Sequence, residues 1–123
     1  MIVSPNTDGT VIRESVSRGL VSLPGFFTPS EGFAALAAGA NGLKLFPAEA
    51  ANSAVVKAQR AVLPKDVPLL VVGGITPANM QPWLDAGADG FGLGSALYKA
   101  GATADEIGRN ARAFAESWAH MRP

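Results

Sequence analysis

Two stretches of this chain, Ala38-Gly39-Ala40-Asn41-Gly42 and Ala86-Gly87-Ala88-Asp89-Gly90, are near copies of each other. In each, a glycine falls where a helical pattern ends and an apolar run is about to begin, the place for a left-handed helix C-cap. Gly19 holds the same place ahead of Leu20-Val21-Ser22-Leu23. A helix-to-strand junction used repeatedly points to one βα unit reused along the chain, and therefore to a parallel sheet covered by helices. Five short apolar segments supply the strands: Ile2 to Ser4, Leu20 to Leu23, Gly42 to Phe46, Leu69 to Val72 and Gly90 to Leu93. A (β/α)8 barrel and a flavodoxin-like open sheet both use such units, so the repeat alone leaves closure open.

Helix starts are equally legible. Thr28-Pro29-Ser30-Glu31 offers an N-cap, a proline at the first helical position and a capping glutamate, ahead of a helix from Ser30 to about Ala38. Thr76-Pro77 repeats that opening, and Thr103-Ala104-Asp105-Glu106 is a second capping box before the final helix. With 123 residues and no linker, the chain is one domain over residues 1–123. Its 10 acidic residues balance its 10 basic ones without any basic run, which argues against nucleic acid or an anionic membrane as partner. The lack of cysteine removes disulfides and thiolate metal sites, and with no apolar stretch of spanning length a cytoplasmic location is expected.

Lys44 lies in Gly42-Leu43-Lys44-Leu45-Phe46-Pro47-Ala48-Glu49, an amine among apolar strand residues. A buried ammonium is costly, and the usual relief is a lowered pKa that leaves the amine neutral. A neutral lysine is a nucleophile suited to Schiff-base formation with a carbonyl. An edge strand with the amine reaching water is the competing reading. Two strands end in glycine pairs, Val72-Gly73-Gly74-Ile75 and Gly92-Leu93-Gly94-Ser95, each followed by a helical segment. Glycines let backbone N–H groups approach an anion, and in a barrel a phosphate often sits on the loops after the last two strands. Tight strand-to-helix turns would need the same glycines. If these are strands seven and eight, the five strands count as four to eight, and the fold is α/β, a partial (β/α)8 TIM barrel with Lys44 on strand six.

Ser4-Pro5-Asn6, Leu23-Pro24-Gly25 with Thr28, the Lys44-Leu45-Phe46-Pro47 element, Val72-Gly73-Gly74-Ile75-Thr76-Pro77 and Gly92-Leu93-Gly94-Ser95 occur in this order. The set resembles the 2-dehydro-3-deoxy-phosphogluconate and phosphogalactonate aldolase family over essentially the whole chain. Val72 ahead of the glycine pair, where gluconate enzymes typically have threonine, makes the phosphogalactonate branch the nearer likeness. The resemblance implies a class I aldolase that cleaves a small phosphorylated keto-sugar acid to pyruvate and glyceraldehyde 3-phosphate. Lys44 would be the Schiff-base lysine. Pro5, Pro24 and Phe46 would line the pyruvate pocket, and Gly73, Gly74, Gly94 and Ser95 would hold the phosphate. The family needs neither metal nor cofactor.

Family members also carry a glutamate acid/base on an early strand, which this chain does not contain. Slow cleavage is therefore expected, as is association with another copy or with a missing N-terminal half. The gluconate epimer is the alternative substrate. A non-catalytic phosphate-binding or assembly fragment is the alternative of another class, and a different phosphate-binding barrel enzyme is the third. Glu49, past Pro47, reads as a solvated loop carboxylate. His120 suits a helix C-terminus, Trp83 and Trp118 suit packing, Lys57, Arg60 and Lys65 suit a solvent face, and Asp85 and Asp89 suit a turn.

Overall fold

The computed structural model describes residues 1–121. Parallel strands alternate with helices: β1 (Ile2–Val3), α1 (Gly9–Ser17), β2 (Ser22–Leu23), β3 (Gly25–Phe26), α2 (Pro29–Ala37), β4 (Leu43–Leu45), a one-turn 3-10 helix (Ala48–Ala50), α3 (Ser53–Val62), β5 (Leu69–Val72), α4 (Gln81–Asp85), β6 (Gly90–Gly92) and α5 (Ala104–Met121). The strands neighbour one another in chain order, β1 with β2, then β3-β4-β5-β6, every pair parallel. That order lacks the reversal that defines a doubly wound sheet.

The strand expected over Leu20 to Leu23 forms only at Ser22–Leu23, and a further strand, Gly25–Phe26, follows it. Ser22–Leu23 pairs with β1, and Gly25–Phe26 pairs with β4. Pro24 is the divider, because it has no N–H to offer a ladder, although its carbonyl still accepts from Lys44 N–H at 3.0 Å. The three glycine C-caps form as the sequence implies. Gly19, Gly39 and Gly87 have φ of 70°, 99° and 105°. After each, the next N–H reaches back five residues, Leu20 to Ser15, Ala40 to Ala35 and Ala88 to Trp83, so the repeat in sequence is a repeat in hydrogen bonding.

Thr28 and Glu31 make a reciprocal capping box on α2, and Thr103 with Glu106 makes the same contacts before α5. Thr76-Pro77 does not open a helix directly. Asn79 takes the local backbone for itself, its Oδ1 accepting from Thr76 N–H at 2.9 Å and its Nδ2 donating to Gly74 O at 2.9 Å. The helical α4 begins only at Gln81. Side-chain amides competing for backbone groups in this way favour turns over helix.

The core lies between the sheet and its helices. Leu43, Leu45, Leu69 and Val71 point into it and are almost completely buried, joined by Ile12, Ala35, Val56, Met80 and Phe114. Each such Leu, Ile or Val contributes about 1.5–3 kcal/mol by leaving water. Arg60, expected at the surface, is instead a clamp at the foot of β5. Its guanidinium donates to Gly87 O at 2.7 Å and Val67 O at 2.8 Å and pairs with Asp89, whose carboxylate also accepts from Leu69 N–H at 2.8 Å. Asp89 is thus a partner in this clamp and not a plain turn residue. Phe91 and Trp118 meet edge to face at 6.0 Å between β6 and α5.

Candidate active site

Strand alternation turns Lys44 away from the leucines on either side of it. The register sets Gly25, Lys44, Leu70 and Gly90 abreast in one row across four strands. Glycine at this place on β3 is required by the Pro5 backbone, because a Cβ on Gly25 would overlap the Pro5 carbonyl oxygen. Lys44 is only 7% exposed. Neither ion pair among the described residues, Arg18–Glu14 or Arg60–Asp89, includes it. Its Nζ lies 4.9 Å from the centroid of the Phe46 ring, one pleat further along the strand. Burial pushes the Lys44 amine below the usual lysine range, because desolvation disfavours the ammonium.

Beyond Phe46 opens a cavity of about 420 Å³. Gly73, Gly74, Gly94 and Ser95 lie on its wall, so the structure brings both glycine loops to one place together with Phe46. Gly73 and Gly74 have φ of 117° and 64°, which residues with side chains rarely adopt. Leu97 and Tyr98 N–H groups both bond to Gly94 O, closing a turn over Ser95 and Ala96.

Pro24 is buried and Pro5 is exposed, and both stand on the β1–β3 side of Lys44, off the wall of this cavity. Lys44 is not on that wall either; Phe46 is the side chain that joins the amine to the glycine loops. The Phe46–Pro47 peptide bond is cis, and the chain then turns through Ala48–Ala50 back toward β5.

Two wall residues carry no assigned role in the sequence reading. Glu49, read from sequence as a solvated loop carboxylate, lies against Gly73 and Gly74, and Lys99 lines the same cavity. Lys99 follows Ser95 by four residues, close enough to return to the loop it leaves, and that spacing was the available signal. Among the described residues no group of three His, Cys, Asp or Glu could hold a metal ion, and no helix is long and apolar enough to cross a membrane.

Residues 1–110 match the family model described as KDPG and KHG aldolase. The chain belongs to the KDPG and KHG aldolase family. It is 45% identical over 118 residues to the 2-dehydro-3-deoxy-6-phosphogalactonate aldolase of Escherichia coli (strain K12), covering 96% of this chain and 58% of that protein. A solved structure described as native KDPGal superposes with a TM-score of 0.96 at 44% identity, over 98% of this chain and 58% of the other. The 2-keto-3-deoxy-6-phosphogluconate aldolase of Zymomonas mobilis ZM4 with 3-phosphoglycerate matches at 0.75 and 26% identity, over 94% of this chain and 55% of that one. The chain therefore spans less than two thirds of the length of each of these relatives.

Proposed function

We propose that this chain carries the Schiff-base half of a class I aldolase, a lyase that cleaves 2-dehydro-3-deoxy-6-phosphogalactonate to pyruvate and glyceraldehyde 3-phosphate. The observation that carries this reading is the buried, ion-pair-free Lys44 beside a cavity into which two glycine loops converge. Family membership and the 45% identity to the phosphogalactonate enzyme support the choice of substrate. The 2-dehydro-3-deoxy-6-phosphogluconate epimer is the runner-up, and relative rates on the two epimers separate them.

In this reading the neutral Nζ of Lys44 attacks the C2 ketone and water leaves, giving an iminium. Loss of the C4 hydroxyl proton to a base breaks the C3–C4 bond, and the electron pair moves into the iminium to form an enamine. Protonation at C3 and hydrolysis then release pyruvate and regenerate the amine, while glyceraldehyde 3-phosphate departs. Gly73, Gly74, Gly94 and Ser95 hold the phosphate through backbone N–H groups and the serine hydroxyl, and the nearby Lys99 ammonium supplies positive charge. Phe46 covers the imine, with Pro5 and Pro24 bounding the pyruvate end. No metal or cofactor is required, because the iminium itself is the electron sink. The base for the C4 hydroxyl is assigned to none of these residues.

The architecture is read as strands four to eight of a (β/α)8 barrel within a single domain, which the unreversed strand order supports. Among the described residues β1 and β6, like β2 and β3 on either side of Pro24, each have one strand neighbour, and Val3 on β1 is 56% exposed. Open edges of this kind favour pairing, so association with another copy or with the complementary part of a barrel is part of the proposal. The location is taken to be cytoplasmic.

Borohydride reduction in the presence of pyruvate, followed by peptide mass spectrometry, tests the central step. A reduced pyruvyl adduct on Lys44, lost in Lys44→Ala, is expected. Absence of any adduct on Lys44 contradicts the aldolase reading and leaves a silent phosphate-binding module.

A further inference from the structure

Among the described residues the cavity wall carries one carboxylate, and it lies on the glycines themselves. A Cβ added to Gly74 would stand 2.9 Å from Glu49 Cγ, and one added to Gly73 would stand 2.8 Å from Glu49 Cδ and overlap its Oε2. The glycine pair is thus needed twice, once for its positive φ and once because the Glu49 side chain lies directly across it. No hydrogen bond or ion pair latches the Glu49 carboxylate among the described residues, and the residue is exposed on its 3-10 turn. Rotation of one free side chain is enough to uncover the glycines.

We propose that Glu49 is a resident anion of the phosphate cradle, displaced when a phosphate group seats on Gly73 and Gly74, and that it sets how strongly the cavity binds phosphate. This rests on the phosphate reading of the cavity given above. A carboxylate lying across the glycines and a phosphate seated on them cannot occupy the same space, and their charges repel. Even at the dielectric of water, like charges about 4 Å apart weaken binding about fivefold. Lys99, the one cationic side chain on the wall among the described residues, attracts either anion and so lets them exchange without leaving the cavity uncompensated. The arrangement favours ligands that bring more negative charge than the single charge of Glu49, which a phosphate monoester does and a neutral sugar hydroxyl does not.

Titration with inorganic phosphate at fixed ionic strength, followed by calorimetry or 31P NMR, tests this in the wild-type chain, Glu49→Gln, Glu49→Ala and Lys99→Ala, each checked for folding by circular dichroism. Both Glu49 variants should bind phosphate about fivefold more tightly, and Lys99→Ala more weakly. Wild-type binding that neither Glu49 variant improves would overturn the resident anion and leave the phosphate cavity standing. Tightening in Glu49→Ala alone would make bulk the obstacle and also overturn it. Failure of every folded variant to bind phosphate would overturn both readings.

Discussion

On β4 the side chains of Leu43 and Leu45 enter the helix-covered core with Leu69 and Val71 beside them, while Lys44 between them enters a row whose other members are Gly25, Leu70 and Gly90. The first face is dry and filled by branched aliphatics. The second holds two glycines, Leu70 and one amine that lies over an aromatic ring. Stability and the proposed chemistry are thus separated by a single pleat, and a substitution one residue along the strand should move from one to the other. What makes this possible is alternation: the leucines secure the strand without any contribution from Lys44, which frees that position to hold a costly group.

Leu45→Ala should produce the largest loss of stability, about 2–5 kcal/mol in urea unfolding, since it leaves a cavity in the closed face. Lys44→Met, its neighbour, should abolish the pyruvate adduct without lowering stability near neutral pH. In the wild type the unfolded chain binds the Lys44 proton more readily than the folded one. Stability therefore rises with pH between the lowered folded value and the ordinary lysine value, and Lys44→Met should flatten that slope. Equal destabilisation by the two substitutions would break the two-face distinction.

Arg60→Ala removes bonds to Gly87 O, Val67 O and Asp89 from the dry side of the sheet and should cost about 1.5–3 kcal/mol in thermal or urea unfolding, with the adduct still forming. Thr28→Ala should cost about 1 kcal/mol by removing a cap from α2. The smallest effect belongs to the other half of that box. The backbone N–H groups of Thr28 and Phe27 hold the Glu31 carboxyl below the usual carboxylate range, so its stabilisation is full above the unfolded value and fades as pH falls through the folded one. Glu31→Gln should make acid unfolding slightly less steep, as followed by circular dichroism.

How much of this was legible follows the range of the interactions. Glycine C-caps at Gly19, Gly39 and Gly87 and the capping boxes at Thr28 and Thr103 are local, and the sequence displays them. The division of a strand at Pro24 is also local, but it depends on which neighbour each half pairs with, and that is tertiary. Asn79 overrides the Thr76-Pro77 helix start through a side-chain bond that no periodicity registers. Arg60 and Asp89 are 29 residues apart, so neither position hints at the other. At the candidate site, Lys44 is conspicuous because it interrupts an apolar pattern. Glu49 and Lys99 reach the cavity only through the folding of β4 and the β6 loop toward β5, and each looks like an ordinary exposed charge in one dimension.

The proposed chemistry depends on the state of one nitrogen. An NMR pH titration of 13Cε-labelled lysine, with Lys44 assigned by Lys44→Ala, observes it directly. A midpoint for Lys44 clearly below about 10.4, the ordinary lysine value, is the result expected of a dehydrated amine ready to form an imine. A midpoint at or above that value would mean a hydrated ammonium on the sheet and would contradict the proposed chemistry.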